Sequence, residues 1–199
     1  AVGVPGIFGI MLAMAILGLL LLHLAVPAEP ERTGGAESRK LSGMLEIVSR
    51  PPLRPLYFGM FALRAIMTAT FISVPQVLEQ TLGVARASHW AVYLCVFVAS
   101  LVGTVPLILR TERTSTRGAG LFLLSVVLVG VAQALLGFDH ADYWVVMAAL
   151  TLFFAVFNFL EARLPALLTL MAPAADRGAA LGVFATSQFL GAFFGGVMG

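Results

Sequence analysis

The chain has 199 residues, of which 60% are hydrophobic and only 11% charged, with a mean hydropathy of +0.99 and a net charge of +2. A soluble domain carries about 25% charged residues, so the composition excludes a soluble globular protein and indicates an integral membrane protein. The pI of 9.1 reflects loop arginines rather than a basic patch for nucleic acid, and we expect no nucleic-acid partner.

Six apolar runs are long enough to span a bilayer, which takes about 20 helical residues. They are 2–26, 56–78, 90–109, 118–138, 143–171 and 180–199. The runs are continuous and lack a two-residue alternation, which argues against strands. The expected fold class is an all-α multi-pass membrane protein with six transmembrane helices.

The first run starts without a Met and ends in a Glu/Arg-containing loop with no A-x-A site, so it does not read as a signal peptide. The last run also stops abruptly, and we expect the chain to continue at both ends. Segment 27–55 begins with the polar, flexible stretch AEPERTGGAESRK. Leu41, Met44, Leu45 and Val48 then form an apolar stripe at helical spacing, opposed by Arg39, Lys40 and Glu46. Pro51 and Pro52 stop that helix. It either lies at the membrane interface or packs on the bundle. This long connector is the best candidate for a boundary between two halves of a larger protein.

The second run carries Arg64, Thr68, Phe71 and Pro75 on one stripe, a polar and aromatic wall suited to a cavity. The third holds the single cysteine, Cys95, expected to behave as a small buried hydrophobe. The fifth would extend about 43 Å at 1.5 Å per residue, more than the roughly 30 Å hydrocarbon core. It must tilt, kink at Pro165 or protrude, and Pro173 ends it. In the sixth, Gly191, Gly195 and Gly199 follow the small-xxx-small spacing that lets helices approach closely.

The loops set the orientation. Segments 27–55, 110–117 and 172–179 together hold nine Lys or Arg, against Arg86 alone on the opposite side. The positive-inside rule places those three segments in the cytoplasm. His23, His89 and His140 fall at run ends or in loops, where interfacial placement is the simpler reading, and no metal site or cofactor is expected. Motifs of soluble enzymes are lacking: there is no G-x-S-x-G, H-E-x-x-H, Walker A or C-x-x-C.

Glu161 stands out. A charge at the centre of a membrane helix costs roughly 2.5–3.5 kcal/mol on insertion scales, and such residues usually mark a substrate, ion or proton route. Arg64 lies about 12 Å from the cytoplasmic start of its run, and Glu161 about 15 Å from the cytoplasmic end of its own. Two opposite charges on two helices at similar depth can face a common interior and touch. The alternatives are that Arg64 snorkels to the interface and that Glu161 pairs with a backbone group or Arg177. Arg163 lies about 200° around the helix from Glu161 and is expected to snorkel toward headgroups. Asn158 shares Glu161's face. Asn158 and Gln188 suit either ligand contact or interhelical hydrogen bonding, the latter slightly better.

The stretch NFLEARLPALLTLMAPAADRGAALGVFATSQFLGAFFGG, from Asn158 to Gly196, resembles the region from helix 10 to helix 11 of major facilitator superfamily transporters. The segments RPLYFGMFALRAIMTATFISVP and HWAVYL, and the opening GVPGIFGIMLAM, are similar to the YajR-like branch, identified with drug:proton antiport. The resemblance implies a partial major facilitator fold. Residues 1–26 would be the last helix of the N-terminal half, 27–55 the central cytoplasmic loop, and 56–199 helices 7–11 of the C-terminal half. In this family helices 7 and 10 line the central cavity, and Glu161 fits an N-x-x-E pattern in helix 10. Loop 110–117 departs from the family, because RTERTSTRG lacks the Asp-Arg pair of the loop signature.

The resemblance implies a secondary transporter, most simply one exporting small hydrophobic or amphipathic compounds by alternating access. The expected partners are a small-molecule substrate, protons and the lipid bilayer, and the expected state is a monomer in the inner or plasma membrane. Two readings remain open beside it: uptake of a metabolite by the same fold, and a six-helix scaffold or receptor with no transport cycle. The candidate cavity residues are Glu161, Arg64, Asn158, Thr68, Phe71 and Gln188.

Overall fold

The computed structural model describes residues 4–25, 46–112, 118–138 and 141–199. The chain divides into two compact units, Ala1–Lys40 and Leu41–Gly199. The first contains α1 (Val4–Ala25), whose 22 residues extend about 33 Å. The second contains α2 (Arg54–Gln76), α3 (His89–Glu112), α4 (Gly118–Phe138), α5 (Tyr143–Met171) and α6 (Arg177–Met198). Among the described residues there is no strand. The helices α2 to α6 are each long and apolar enough to cross a membrane. The bounds of α4 and α5 coincide with those read from the sequence.

The ends of these helices follow from local chemistry. Pro55 stands in the first turn of α2, where its missing N–H costs nothing. At its other end α2 widens into a π-helical turn, Val77–Thr81, just past Pro75, which removes one backbone donor. Gly83 then takes φ 66°, a conformation that favours glycine. Asp142 caps α5, its Oδ1 accepting from Trp144 N at 2.7 Å and Val145 N at 3.2 Å. Replacing Asp142 with Ala should cost about 1 kcal/mol, read as a lower thermal midpoint of the full-length protein in detergent; Asp142→Asn should lose less.

The central helix is α5. Its most apolar stretch is 56% buried, against 17–33% for the corresponding stretches of α2, α3, α4 and α6. Val146, Leu150, Phe153, Phe157, Leu164 and Leu168 form its buried spine. The helix packs mainly on α4 and α3, whereas α2 packs mainly on α6 and meets α5 along a shorter line. Several hydroxyls inside the bundle are satisfied by helix carbonyls, as lipid favours. Thr104 Oγ1 lies 2.8 Å from Ser100 O of its own helix and 3.0 Å from Ala155 O of α5. The buried Ser100 and Ser125 hydroxyls donate to carbonyls of their own helices.

The seam between α2 and α6 is built on glycine. A Cβ at Gly191 would collide with the Phe61 carbonyl, and one at Gly195 with the Ala65 carbonyl. At Gly199 a Cβ would sit 2.8 Å from Ala69 Cα. Three glycines four residues apart thus face three α2 residues four residues apart, so the two backbones run in contact.

Several expectations need correction. Of the connector stripe, Leu41, Met44 and Leu45 lie outside the described residues, as do Arg39 and Lys40. Residues 46–49 make a single helical turn in which Ile47 is buried and Val48 exposed, so Val48, the one described member of the stripe, does not pack on the bundle. Cys95 is exposed, not buried: it lies on a part of α3 turned away from the other described helices of this chain. His89, at the first residue of α3, is buried with Nε2 3.1 Å from Val84 O, and so braces the turn leading into that helix. Residues 113–117 lie outside the described set, so the centre of loop 110–117 does too.

Ion pairs also join segments outside the helix centres. Arg86 pairs with Glu79 at 2.9 Å on the surface. Arg50 meets Asp176 at 2.9 Å and Glu46 at 3.6 Å, tying the segment before α2 to the start of α6.

Candidate functional site

Arg64 on α2 and Glu161 on α5 form an ion pair, with Arg64 Nη2 donating to Glu161 Oε1. The depths of roughly 12 and 15 Å derived from helical rise already placed both groups within reach of one another. Neither alternative partner is engaged: Arg177 is exposed at the start of α6, and Arg64 points to α5 instead of the interface. The side chains retain 22% and 34% of their exposure, so the pair stands at the wall of an open space.

Gln188 of α6 completes the arrangement. With its amide turned so that both groups are satisfied, its oxygen accepts from Arg64 Nε at 3.0 Å and Nη2 at 2.6 Å. Arg64 Nη1 is 3.9 Å from Met67 Sδ, and the guanidinium carbon lies 5.9 Å from the Phe157 ring centroid, a cation–π distance. The guanidinium is therefore held on nearly every side, in keeping with the planar fork of donors that arginine presents. Glu161 is less saturated: among the described residues only its Oε1 has a partner. Three helices converge on one cation, and the spare capacity belongs to the carboxylate.

The other candidate residues divide between this wall and the helix seams. Phe71 stacks on Tyr93 at 5.9 Å and meets Phe154 edge-on at 5.7 Å, one to two turns outward from Arg64 on the same α2 stripe. Thr68 sits at the α2–α6 seam, with its methyl 3.9 Å from where a Cβ on Gly196 would be. The Asn158 Nδ2 is enclosed without a partner, so that nitrogen makes no interhelical hydrogen bond. Gln188, in contrast, bonds across helices, but to the cavity arginine. Gly191, Gly195 and Gly199 belong wholly to the seam. Arg163 is half-buried, with Nε enclosed and unpartnered.

The sequence reading missed the contribution of α3. Trp90, Tyr93, Leu94 and Phe97 line a cleft of about 450 Å³ together with Phe71 and Phe154. The signal was present: Trp90, Tyr93 and Phe97 recur at i, i+3 and i+7 and so share one helical face.

The sequence profile described as Major Facilitator Superfamily matches residues 1–199. The chain belongs to the Major Facilitator Superfamily. Among curated relatives, Inner membrane transport protein YajR of Escherichia coli (strain K12) is 32% identical over 198 residues, covering 99% of this chain and 43% of that protein. An uncharacterized transporter of Buchnera aphidicola subsp. Baizongia pistaciae is 25% identical over 167 residues, covering 80% of this chain and 41% of that protein. A second uncharacterized transporter, of Buchnera aphidicola subsp. Acyrthosiphon pisum, is 26% identical over 139 residues, covering 70% and 35%. The chain thus spans less than half the length of these curated relatives. No solved structure matches it significantly. The all-helical, multi-pass membrane architecture agrees with superfamily membership.

Proposed function

We propose that this chain forms part of a secondary transporter in the cell inner membrane that exports small amphipathic compounds in exchange for protons. In this reading residues 1–26 end the N-terminal half, 27–55 connect the halves, and 56–199 belong to the C-terminal half. The observation that carries it is the Arg64–Glu161 pair, held by Gln188 and only partly buried at membrane depth. A charge pair there is costly to assemble and needs a reason beyond stability, because apolar residues of similar volume would serve packing as well. Among the described residues one oxygen of Glu161 is left without a partner. A proton or a cationic group can occupy that oxygen in turn, and alternating occupancy is what exchange across a membrane requires.

Superfamily membership and the transporter names of the relatives support a transport role. Proton exchange and outward direction are tested with the full-length protein in proteoliposomes loaded with a fluorescent amphipathic cation. An imposed pH gradient should drive cation movement opposite to proton flow, and reversing the gradient should reverse it. Flux that is unchanged when the gradient is collapsed would overturn the exchange mechanism. Flux in the same direction as the protons would point instead to uptake.

A further inference from the structure

We infer that Gln188 is a positioning residue that keeps the Arg64–Glu161 pair separable, by occupying the edge of the arginine on which the carboxylate would otherwise close with both oxygens; this rests on the exchange reading above and deepens it, naming what regulates the proton affinity of that carboxylate. A guanidinium presents its N–H groups as a planar fork with two edges, one shared by Nε and an Nη, the other by the two Nη. A carboxylate commonly binds such an edge through two parallel hydrogen bonds, which is the strong form of the pair.

The strong form is blocked here. One oxygen of Gln188 accepts from Arg64 Nε at 3.0 Å and from Nη2 at 2.6 Å, which fills the first edge. The reversed amide would set its NH2 group against the same two N–H groups, donor against donor. Nη2 has one N–H left, and it goes to Glu161 Oε1. Nη1 finds Met67 Sδ at 3.9 Å and not the second carboxylate oxygen. Glu161 therefore holds Arg64 by a single oxygen, and the amide holds it by two N–H groups.

The glycine seam puts the amide in this place. Gln188 lies about one turn before Gly191 on α6, and Gly191 sits against the carbonyl of Phe61, about one turn before Arg64 on α2. Being neutral, Gln188 keeps Nε and Nη2 hydrogen-bonded whether or not Glu161 carries its charge, so the arginine stays on α6 when the carboxylate takes up a proton. An apolar side chain at 188 would leave an empty edge beside Glu161 and draw the carboxylate onto it. The charged surroundings of Glu161 are otherwise sparse among the described side chains. From α2 it faces Arg64. Arg177 of α6 is exposed about three turns from Gln188. The α3 phenol, Tyr93, is turned to Phe71, α4 has no ionisable side chain, and Arg163 projects about 200° away around α5.

The test is the pH dependence of the thermal midpoint of the full-length protein in detergent. Stability from a paired carboxylate is lost as pH falls through its folded-state titration, so the wild type should show an acid limb that Glu161→Gln removes. Gln188→Leu should move that limb down by about one pH unit, because a second hydrogen bond to the guanidinium holds the carboxylate ionised. On an Arg64→Lys background, where no fork exists, Gln188→Leu should move nothing. In proteoliposomes Gln188→Leu should slow exchange turnover about tenfold with KM little changed. No shift, an upward shift, or the same shift with Lys at 64 would overturn the role of Gln188. So would a raised KM at unchanged turnover, which would make Gln188 a substrate contact. If Gln188→Leu is not monodisperse, Gln188→Ala empties the same edge and carries the same expectations. The stability measurement involves no flux. It therefore decides the role of Gln188 separately from proton exchange, which stands or falls on the pH-gradient experiment.

Discussion

Replacing Glu161 with Gln is expected to abolish exchange transport and to lower stability at the same time. Gln keeps the shape and one acceptor oxygen but removes the negative charge, leaving the Arg64 guanidinium without its counter-ion in a wall where it is 22% exposed. Breaking a fully buried pair from one side costs about 3–5 kcal/mol. Partial exposure tempers this, and we expect a loss of about 1–2 kcal/mol, seen as a lower thermal midpoint in detergent. Two further variants separate the roles. Arg64→Gln with Glu161→Gln removes both charges and should recover most of the lost stability. The charge swap, Arg64→Glu with Glu161→Arg, should also refold the pair. Neither should restore transport if the carboxylate on α5 itself takes up a proton or a cation. Full transport by the swapped protein would reduce the pair to a structural tie.

The second large effect concerns the seam of α2 and α6. Gly195→Leu would drive a Cβ into the Ala65 carbonyl, and the obstacle is backbone, which cannot rotate aside. Overpacking typically costs about 1–3 kcal/mol, and here the helices must separate to relieve it. Separation would also strip Gly191 and Gly199 of their contacts with Phe61 and Ala69. We expect a steep fall in the monodisperse fraction by fluorescence-detected size exclusion, with Gly191→Leu behaving alike. Gly196→Ala is the control, since its Cβ would meet only the Thr68 methyl at 3.9 Å. An equal loss in Gly196→Ala would refer the effect to glycine content instead of the seam.

Much of this could be read from residues alone, for reasons that vary by residue. Helix bounds were legible because lipid demands continuous apolar runs, and α4 and α5 end where polar or breaking residues begin. A meeting of Arg64 and Glu161 was one of the readings left open, because depth fixes axial position and opposite charges in low dielectric attract, but depth alone did not decide it against snorkelling or against Arg177. The glycine seam was legible because four-residue spacing keeps one face bare. Rotation of one helix against another was harder. Where every face is apolar, a 3.6-residue period does not say which side meets lipid and which meets protein. Cys95 was accordingly misplaced, and the aromatic face of α3 went unassigned. The hold of Gln188 on Arg64 depends on the rotation of α6 against α2, which the close glycine seam sets. The Arg50–Asp176 pair joins segments more than a hundred residues apart in sequence, with no local signal at either end.

The uneven packing of the second unit has a mechanical consequence. Because α2 and α6 are fused by backbone contact and tied again through Arg50 and Asp176, they should travel as one strut. Helices α3, α4 and α5 form the other strut, and the joint between them is narrow at α2 against α5. The Arg64–Glu161–Gln188 cluster spans that joint. Neutralising one carboxylate would then release a clasp between two levers, converting a local change in charge into a relative displacement. Cysteine cross-links within a strut should be tolerated, whereas one placed across the joint should lock the protein in a single posture.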